Sequence, residues 1–325
     1  MANYKNYITL FLVFGFLATA FTLKSQTKND AIEVYNLGVQ LVTEDVGEAI
    51  KTFNDCLEIC NNIGFEGEEI KLQIVEKLPG LYYQNAMSLY KEKKMSEAFS
   101  AFEETLTMAE KYEDPATKDL TQNILSQFYN SRGNSFYRNE DYENALASYD
   151  KALELNPKFA KPYLYKSLIY KKTEDEENFV LSINTAIEIA QEINDSKTLA
   201  DTKKTGRDYF LVKGSKALEA KSYQEAVDLL SKSLIYDDKN TGIYFRMAVA
   251  YNYLSKWDEA IDAGNKALEF EEEDNGKTAK IYFELGNAYL GKGDNDSACN
   301  AYKNASYGAY EEAAKYQIEH VLKCI

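Results

Sequence analysis

Histidine and tryptophan each occur once in this chain of 325 residues, and proline four times. The one imidazole, His320, has no nucleophile motif beside it and reads as a surface or partly buried helix residue. A hydrolytic triad with histidine as its base is therefore not expected. No glycine-rich loop has the spacing that cradles phosphates. The stretch Gly291-Lys-Gly-Asp-Asn-Asp lacks the terminal Glu of a calcium loop and reads as a turn. Bases are in deficit too: 37 Lys and Arg face 52 Asp and Glu, for a net charge of −15. Such a chain repels phosphates, and without a basic stripe nucleic acid is not an expected partner. The acidic run Glu271–Asp274 reads as the solvated end of a helix. Neither catalysis nor a metal or cofactor is expected. With four prolines and 16 glycines, helix breakers are few.

What is present is a spacing that recurs seven times. Gly133 is followed by Ala145, Tyr149, Ala152 and Pro157, at +12, +16, +19 and +24. Ala86 leads to Ala98, Phe102 and Thr105; Gly214 to Ala226, Leu230 and Ser233; Ala248 to Ala260, Gly264 and Ala267; Gly286 to Ala298, Tyr302 and Ala305. Ser167 heads a looser copy with Phe179, Ile183 and Ala186, and Gly38 one shortened by a residue, with Ala49, Phe53 and Cys56. Such self-similarity means a stacked helical array. Each unit reads as two antiparallel helices, with small residues where the axes approach closely. A bulky residue four before the leading small one, such as Tyr82, Tyr129, Phe210 or Tyr244, fills the adjoining layer. One hairpin cannot bury its apolar face alone, so neighbours must stack.

The pattern resembles the tetratricopeptide repeat, whose usual period is 34 residues. The best stretch runs from Tyr129 through Gly133, Phe136, Ala145, Tyr149 and Ala152 to Pro157. The resemblance implies an all-α, right-handed α-solenoid of about seven helix hairpins over residues 26–325. The repeats are expected at 31–63, 79–112, 126–159, 160–193, 207–240, 241–274 and 279–312. A capping helix over 309–324 should present Ala313, Tyr316, Ile318, Val321 and Leu322 on one apolar face.

The leading small residues fall at 38, 86, 133, 167, 214, 248 and 286, so three steps carry 13 or 14 extra residues. Those insertions hold helix formers and start signals, such as Asp114 before Pro115. They predict long second helices in repeats one, two and four, and long first helices in two, three and five, hence an irregular superhelix. Pro79 should break or kink the first helix of repeat two.

Residues 1–25 have the layout of a signal peptide: Lys5, then an uncharged run from Asn6 to Leu23 that ends at Lys24, with cleavage expected after the small residue Ser25 or Ala20. The alternative is an uncleaved membrane anchor over residues 6–23, the only membrane association expected. Either places the chain outside the cytoplasm, in a bacterial periplasm or at the cell surface. Cys56 and Cys60, four apart, read as small core residues. Cys299 and Cys324 lie 9 and 16 residues from the turn at Gly308. That mismatch argues against a bridge, because disulfide reach is short.

In the family the first helices line a groove. Its exposed positions here are Asn130, Asn134 and Arg138 in repeat three, and Lys161, Tyr165 and Lys172 in the next first helix. Tyr83, Tyr90, Phe245, Arg246 and Asn287 are further candidates. Some members of the family clamp a peptide's terminal carboxylate with Lys, Asn and Arg at such positions. Asn134 fits, but Leu168 and Ser215 at the corresponding positions do not, so a full clamp is absent. The expected function is a non-enzymatic scaffold of the bacterial cell envelope that holds another protein or an extended peptide. The alternative is glycan binding by groove aromatics.

Overall fold

The seven-fold spacing becomes seven helical hairpins in a computed structural model that describes residues 26–272 and 274–324. The expected export segment, residues 1–25, lies outside the described residues. Among these residues every regular element is helical. By contact the chain divides into two units, Met1–Thr121 and Gln122–Ile325.

The first unit contains α1 (Lys28–Leu41), α2 (Val46–Ile63), α3 (Glu68–Lys91) and α4 (Met95–Lys111), packed in chain order. Phe53, Cys56, Cys60, Ile74, Leu78 and Tyr82 form its core. Both cysteines are free and buried, as their spacing implied. The Cys56 thiol donates to the Ala31 carbonyl at 3.2 Å, and burial pushes its pKa up to about 12, a group inert as a nucleophile. Of the expected break or kink at Pro79, the break does not occur: α3 runs through it as one helix. Pro79 is itself buried, and Ile74, Leu78 and Tyr82 anchor the helix on both sides of it, so packing outweighs the missing backbone bond.

The next helix, α5 (Pro115–Arg138), starts in the first unit. Asp114 caps it by accepting from the Thr117 amide at 3.0 Å, and proline takes the first helical position. The second unit continues with α6 (Tyr142–Leu155), α7 (Ala160–Lys172), α8 (Glu176–Glu192), α9 (Ser196–Glu219) and α10 (Tyr223–Leu234). Then follow α11 (Thr241–Tyr253), α12 (Trp257–Glu269), α13 (Asn275–Lys292), α14 (Asn295–Ala305) and α15 (Glu311–Tyr316). Pro157 ends α6 two residues later than its last turn, as expected. The long helices fall where the insertions placed them. First helices α3, α5 and α9 have 24 residues each, and second helices α2, α4 and α8 have 17 or 18.

The repeat spacing acts sterically. Each residue at +12, or +11 in the shortened first copy, from Ala49 to Ala298, is at most 1% exposed, and so is each at +19, or +18 in that copy, from Cys56 to Ala305. A Cβ on Gly133 would stand 2.5 Å from the Tyr149 ring, and one on Gly286 would stand 2.6 Å from Tyr302. Where Phe179 replaces a small residue, the next first helix makes room for it. Its ring lies 4.0 Å from Tyr209 and 6.2 Å, edge-on, from Phe210.

The turns between helices repeat a two-residue device. Glu113, Glu140, Glu174, Asn194 and Gly293 adopt the left-handed conformation, each followed by an aspartate that caps the next helix. The Gly291–Asp296 stretch is one such turn. Asp274, at the end of the acidic run, also caps a helix: it accepts from the Gly276 amide at 2.8 Å.

The C-terminal cap departs from expectation. Its buried face is Ala314 with Ile318 and Leu322, while Tyr316 and Val321 are 58% and 48% exposed. After α15 the backbone widens to a π-helix over Gln317–Leu322, which shifts the azimuth of the side chains there, Val321 among them. The same winding corrects the cysteine reading. Lys323 turns left-handed and brings Cys324 back over α14, where it is bonded to Cys299 with Cα atoms 5.9 Å apart. A π-helix advances less per residue, so the 16-residue arm is shorter than an α-helical count implies.

Candidate functional site

Within the second unit the first helices follow one another along one face: α7 meets α9, α9 meets α11 and α11 meets α13. Their side chains are the candidates for partner contact. On α5, Asn130 is buried and its Oδ1 has no hydrogen-bond partner, which corrects its expected exposure. Asn134 is half-buried, and its Oδ1 accepts from the Tyr149 hydroxyl at 2.7 Å. Arg138 is exposed and turns its Nε onto the Asn134 carbonyl at 3.2 Å.

Tyr165 on α7 stacks on Tyr149, with centroids 5.8 Å apart. Asn134, Arg138 and Tyr165 thus gather around one tyrosine. Burial pushes the Tyr149 hydroxyl well above the ordinary range, helped by Tyr165, while Arg138 opposes it. This hydroxyl stays a hydrogen-bond donor. Lys161, at the start of α7, acts on Asp195 instead. The Thr198 side chain and amide hold the Asp195 carboxyl low, and Lys161 adds to them. Lys172 is exposed at the far end of α7.

The remaining predicted residues are scattered. In the first unit Tyr83 and Tyr90 meet the buried Phe102 edge-on, at 5.9 and 6.5 Å. On α11, Phe245 carries the Lys280 ammonium 5.2 Å above its ring. Arg246 folds back onto the Gly242 carbonyl at 2.8 Å. Asn287 on α13 repeats the role of Asn134, accepting from the Tyr302 hydroxyl at 2.8 Å.

Asn287 also lines a cleft of about 450 Å³, with Asn252 from α11, Trp257 from α12, Phe283 and Glu284 from α13, Tyr302 from α14 and Gln317 from the π-helix. The Asn252 Nδ2 donates to the Glu284 carbonyl at 2.9 Å and to its Oε2 at 2.8 Å; the Asn287 Nδ2 reaches the same oxygen at 3.2 Å. Desolvation pushes the Glu284 carboxyl above the usual carboxylate range, against those two amides. Two buried acceptors in the lining, Asn252 Oδ1 and Gln317 Oε1, have no hydrogen-bond partner. The Trp257 ring closes over Gly291, where a Cβ would stand 2.7 Å from it.

Apart from Asn287, none of these residues was expected in a site from the sequence; Tyr302 stood out only as the bulky residue of its repeat and Gly291 only as part of a turn. The available signals were the sole tryptophan and an acid inside a first helix, three residues before an Asn that follows the leading glycine. A larger cleft of about 580 Å³ lies between α11 and α12; there Lys266 sits 5.4 Å over the Tyr244 ring beside three acids, Glu259, Asp262 and Glu269.

Residues 126–159 and 279–307 each match a tetratricopeptide repeat model. Those are the two hairpins that carry the Asn134–Tyr149 and Asn287–Tyr302 bonds. Heat shock protein STI1 of Saccharomyces cerevisiae is 31% identical over 116 residues, 35% of this chain and 19% of that protein. The chain thus spans about a fifth of that relative's length. Among solved structures, YrrB, described as a tetratricopeptide repeat protein with an unusual peptide-binding site, is 21% identical. That likeness covers 68% of this chain and 95% of the other, at a TM-score of 0.31. The TPR2AB domain of yeast Sti1, in complex with pHSP90, is 14% identical over 90% of this chain and 96% of the other, at a TM-score of 0.34.

Proposed function

We propose that this chain, a tetratricopeptide repeat protein, is a scaffold of the bacterial cell envelope that holds an extended segment of another protein along the first helices of its second unit. The observation that carries this reading is the cleft between α11 and α13. It joins aromatic walls to polar groups that the fold leaves unsatisfied, the composition of a recognition site. The cluster of Asn134, Arg138 and Tyr165 offers a second point of contact on α5 and α7. No catalytic role is proposed.

Two features support an extracytoplasmic setting. Residues 1–25 have the layout of an export signal, and the Cys299–Cys324 bridge is at home in an oxidising compartment. No helix among the described residues is long and apolar enough to cross a membrane.

Panning the full chain against a random peptide library tests the binding role. Retained peptides should compete with one another and lose affinity when Arg138→Glu and Lys161→Glu are combined, with helicity intact. A library that yields no retained sequence counts against the scaffold reading. Cell fractionation tests the location, and recovery of the protein with the cytoplasm overturns it.

A further inference from the structure

We infer that the cleft between α11 and α13 receives a side-chain cation of the bound segment, the ammonium of a lysine or the guanidinium of an arginine. This rests on the reading of the second unit as a peptide-binding surface.

The chemistry of the lining selects the ligand. Glu284 forms no ion pair among the described residues; its hydrogen bonds come from the neutral amides of Asn252 and Asn287. The neighbouring lysines are committed elsewhere. Lys292 is on Asp258 at 2.6 Å, Lys256 on the Gln224 side chain at 3.0 Å, and Lys280 over Phe245. The two orphaned polar atoms, on Asn252 and Gln317, are both acceptors. A group rich in N–H donors and without acceptors is what such a lining lacks, and Lys and Arg side chains are of that kind.

The walls agree. Trp257, Phe283 and Tyr302 border the cleft, and aromatic ring faces attract cations through their quadrupole. A carboxylate would meet Glu284 and the same negative ring faces. A purely apolar side chain would leave the buried acceptors unmatched. A sugar could stack, but both amide donors of Asn252 and one of Asn287 are already given to Glu284. The net charge of −15 draws basic segments towards the chain.

Trp257 is the sole tryptophan, so its emission reports on this cleft alone. The full chain is titrated with acetylated, amidated Gly-Gly-Lys-Gly-Gly, with the arginine counterpart, and with a counterpart whose lysine is Nε-acetylated. At least one cationic peptide should give a saturable change, at least tenfold tighter than the acetyl-lysine peptide; the tighter of the two assigns ammonium or guanidinium. Glu284→Gln should weaken that binding at least tenfold while its thermal unfolding temperature does not fall. Arg138→Glu, away from the cleft, should leave the pentapeptide affinity unchanged. Equal binding of the acetyl-lysine peptide, no saturable change with either cation, or undiminished binding by Glu284→Gln overturns the inference. If library peptides are retained but none needs a basic residue, the cation falls while the peptide-binding reading stands. If none is retained, both fall.

Discussion

The Tyr149 hydroxyl donates to Asn134 Oδ1 at 2.7 Å, joining the second helix of one hairpin to the first across a contact that only glycine at 133 permits. Tyr302 and Asn287 repeat the bond at 2.8 Å, again with glycine one residue before the asparagine. The glycine lets the ring lie against the backbone, and the asparagine satisfies the hydroxyl that this burial would otherwise strand.

Gly133→Ala should therefore destabilise the protein by about 1–3 kcal/mol, since the new methyl meets a fully buried ring. Tyr149→Phe keeps the ring and removes only the bond, at a cost of about 1 kcal/mol. Thermal unfolding of both variants checks the order. A glycine variant as stable as the parent would show that the two helices can part without cost.

Glu284 links stability to pH. Its carboxyl is raised in the folded protein, chiefly by desolvation, and Tyr302 and Tyr310 face it while Asn252 and Asn287 donate to it. The folded state therefore binds the proton more tightly than the unfolded state. No penalty exists below the unfolded carboxylate range, near pH 4. The penalty grows as pH rises through that range and is complete above the folded value. Glu284→Gln should unfold at a higher temperature than the parent at pH 8, with the difference vanishing near pH 4. Equal melting temperatures at pH 8 would contradict the desolvation of this carboxyl.

The Cys299–Cys324 bridge closes 25 residues around the cap. Replacing both cysteines by serine should cost about 3 kcal/mol by loop-closure entropy. The loss should concentrate in residues 311–322, where amide hydrogen exchange would accelerate. Gln317 lies in that segment, so the same variant should loosen the cleft.

Asp175 accepts from the Asn178 side-chain Nδ2 at 2.7 Å and, as the cap of α8, from the Asn178 backbone amide at 3.0 Å, and these contacts hold its carboxyl below the usual range. Asp175→Ala should lower the midpoint of a denaturant titration, because the α8 amide then loses its cap. That loss should shrink as pH falls through the carboxylate range, because a depressed carboxylate stabilises only while ionised.

Local chemistry determined the array. Small residues at +12 and +19, the bulky residue at +16, the Asp114–Pro115 start and the Pro157 stop each act over one or two turns, so their consequences are readable in order. The same holds for helix length, because an insertion between two helices of a hairpin array has little room except to extend them. Pro79 shows the limit of local reading: an unfavourable residue is carried by the packing around it.

The candidate site was legible only where it shares the repeat. Asn134 and Asn287 stand out because they follow a leading glycine. Their oxygens are engaged by tyrosines fifteen residues on, a role that exposure by helical position does not show. Asn130 is on the same face by count and yet is buried, since burial depends on what the neighbouring helix presents.

The sequence by itself determined that the chain is a run of helical hairpins, where its helices stretch, and which small residues they close upon. Tertiary structure alone decided that Glu284 is met by the neutral amides of Asn252 and Asn287, that Asn252, Trp257 and Gln317 from three separate elements line one cleft with it, and that Cys324 reaches Cys299. Those depend on the azimuth and rise of helices far apart in the chain, and a π-helical winding or a left-handed residue changes both without a period that sequence can show.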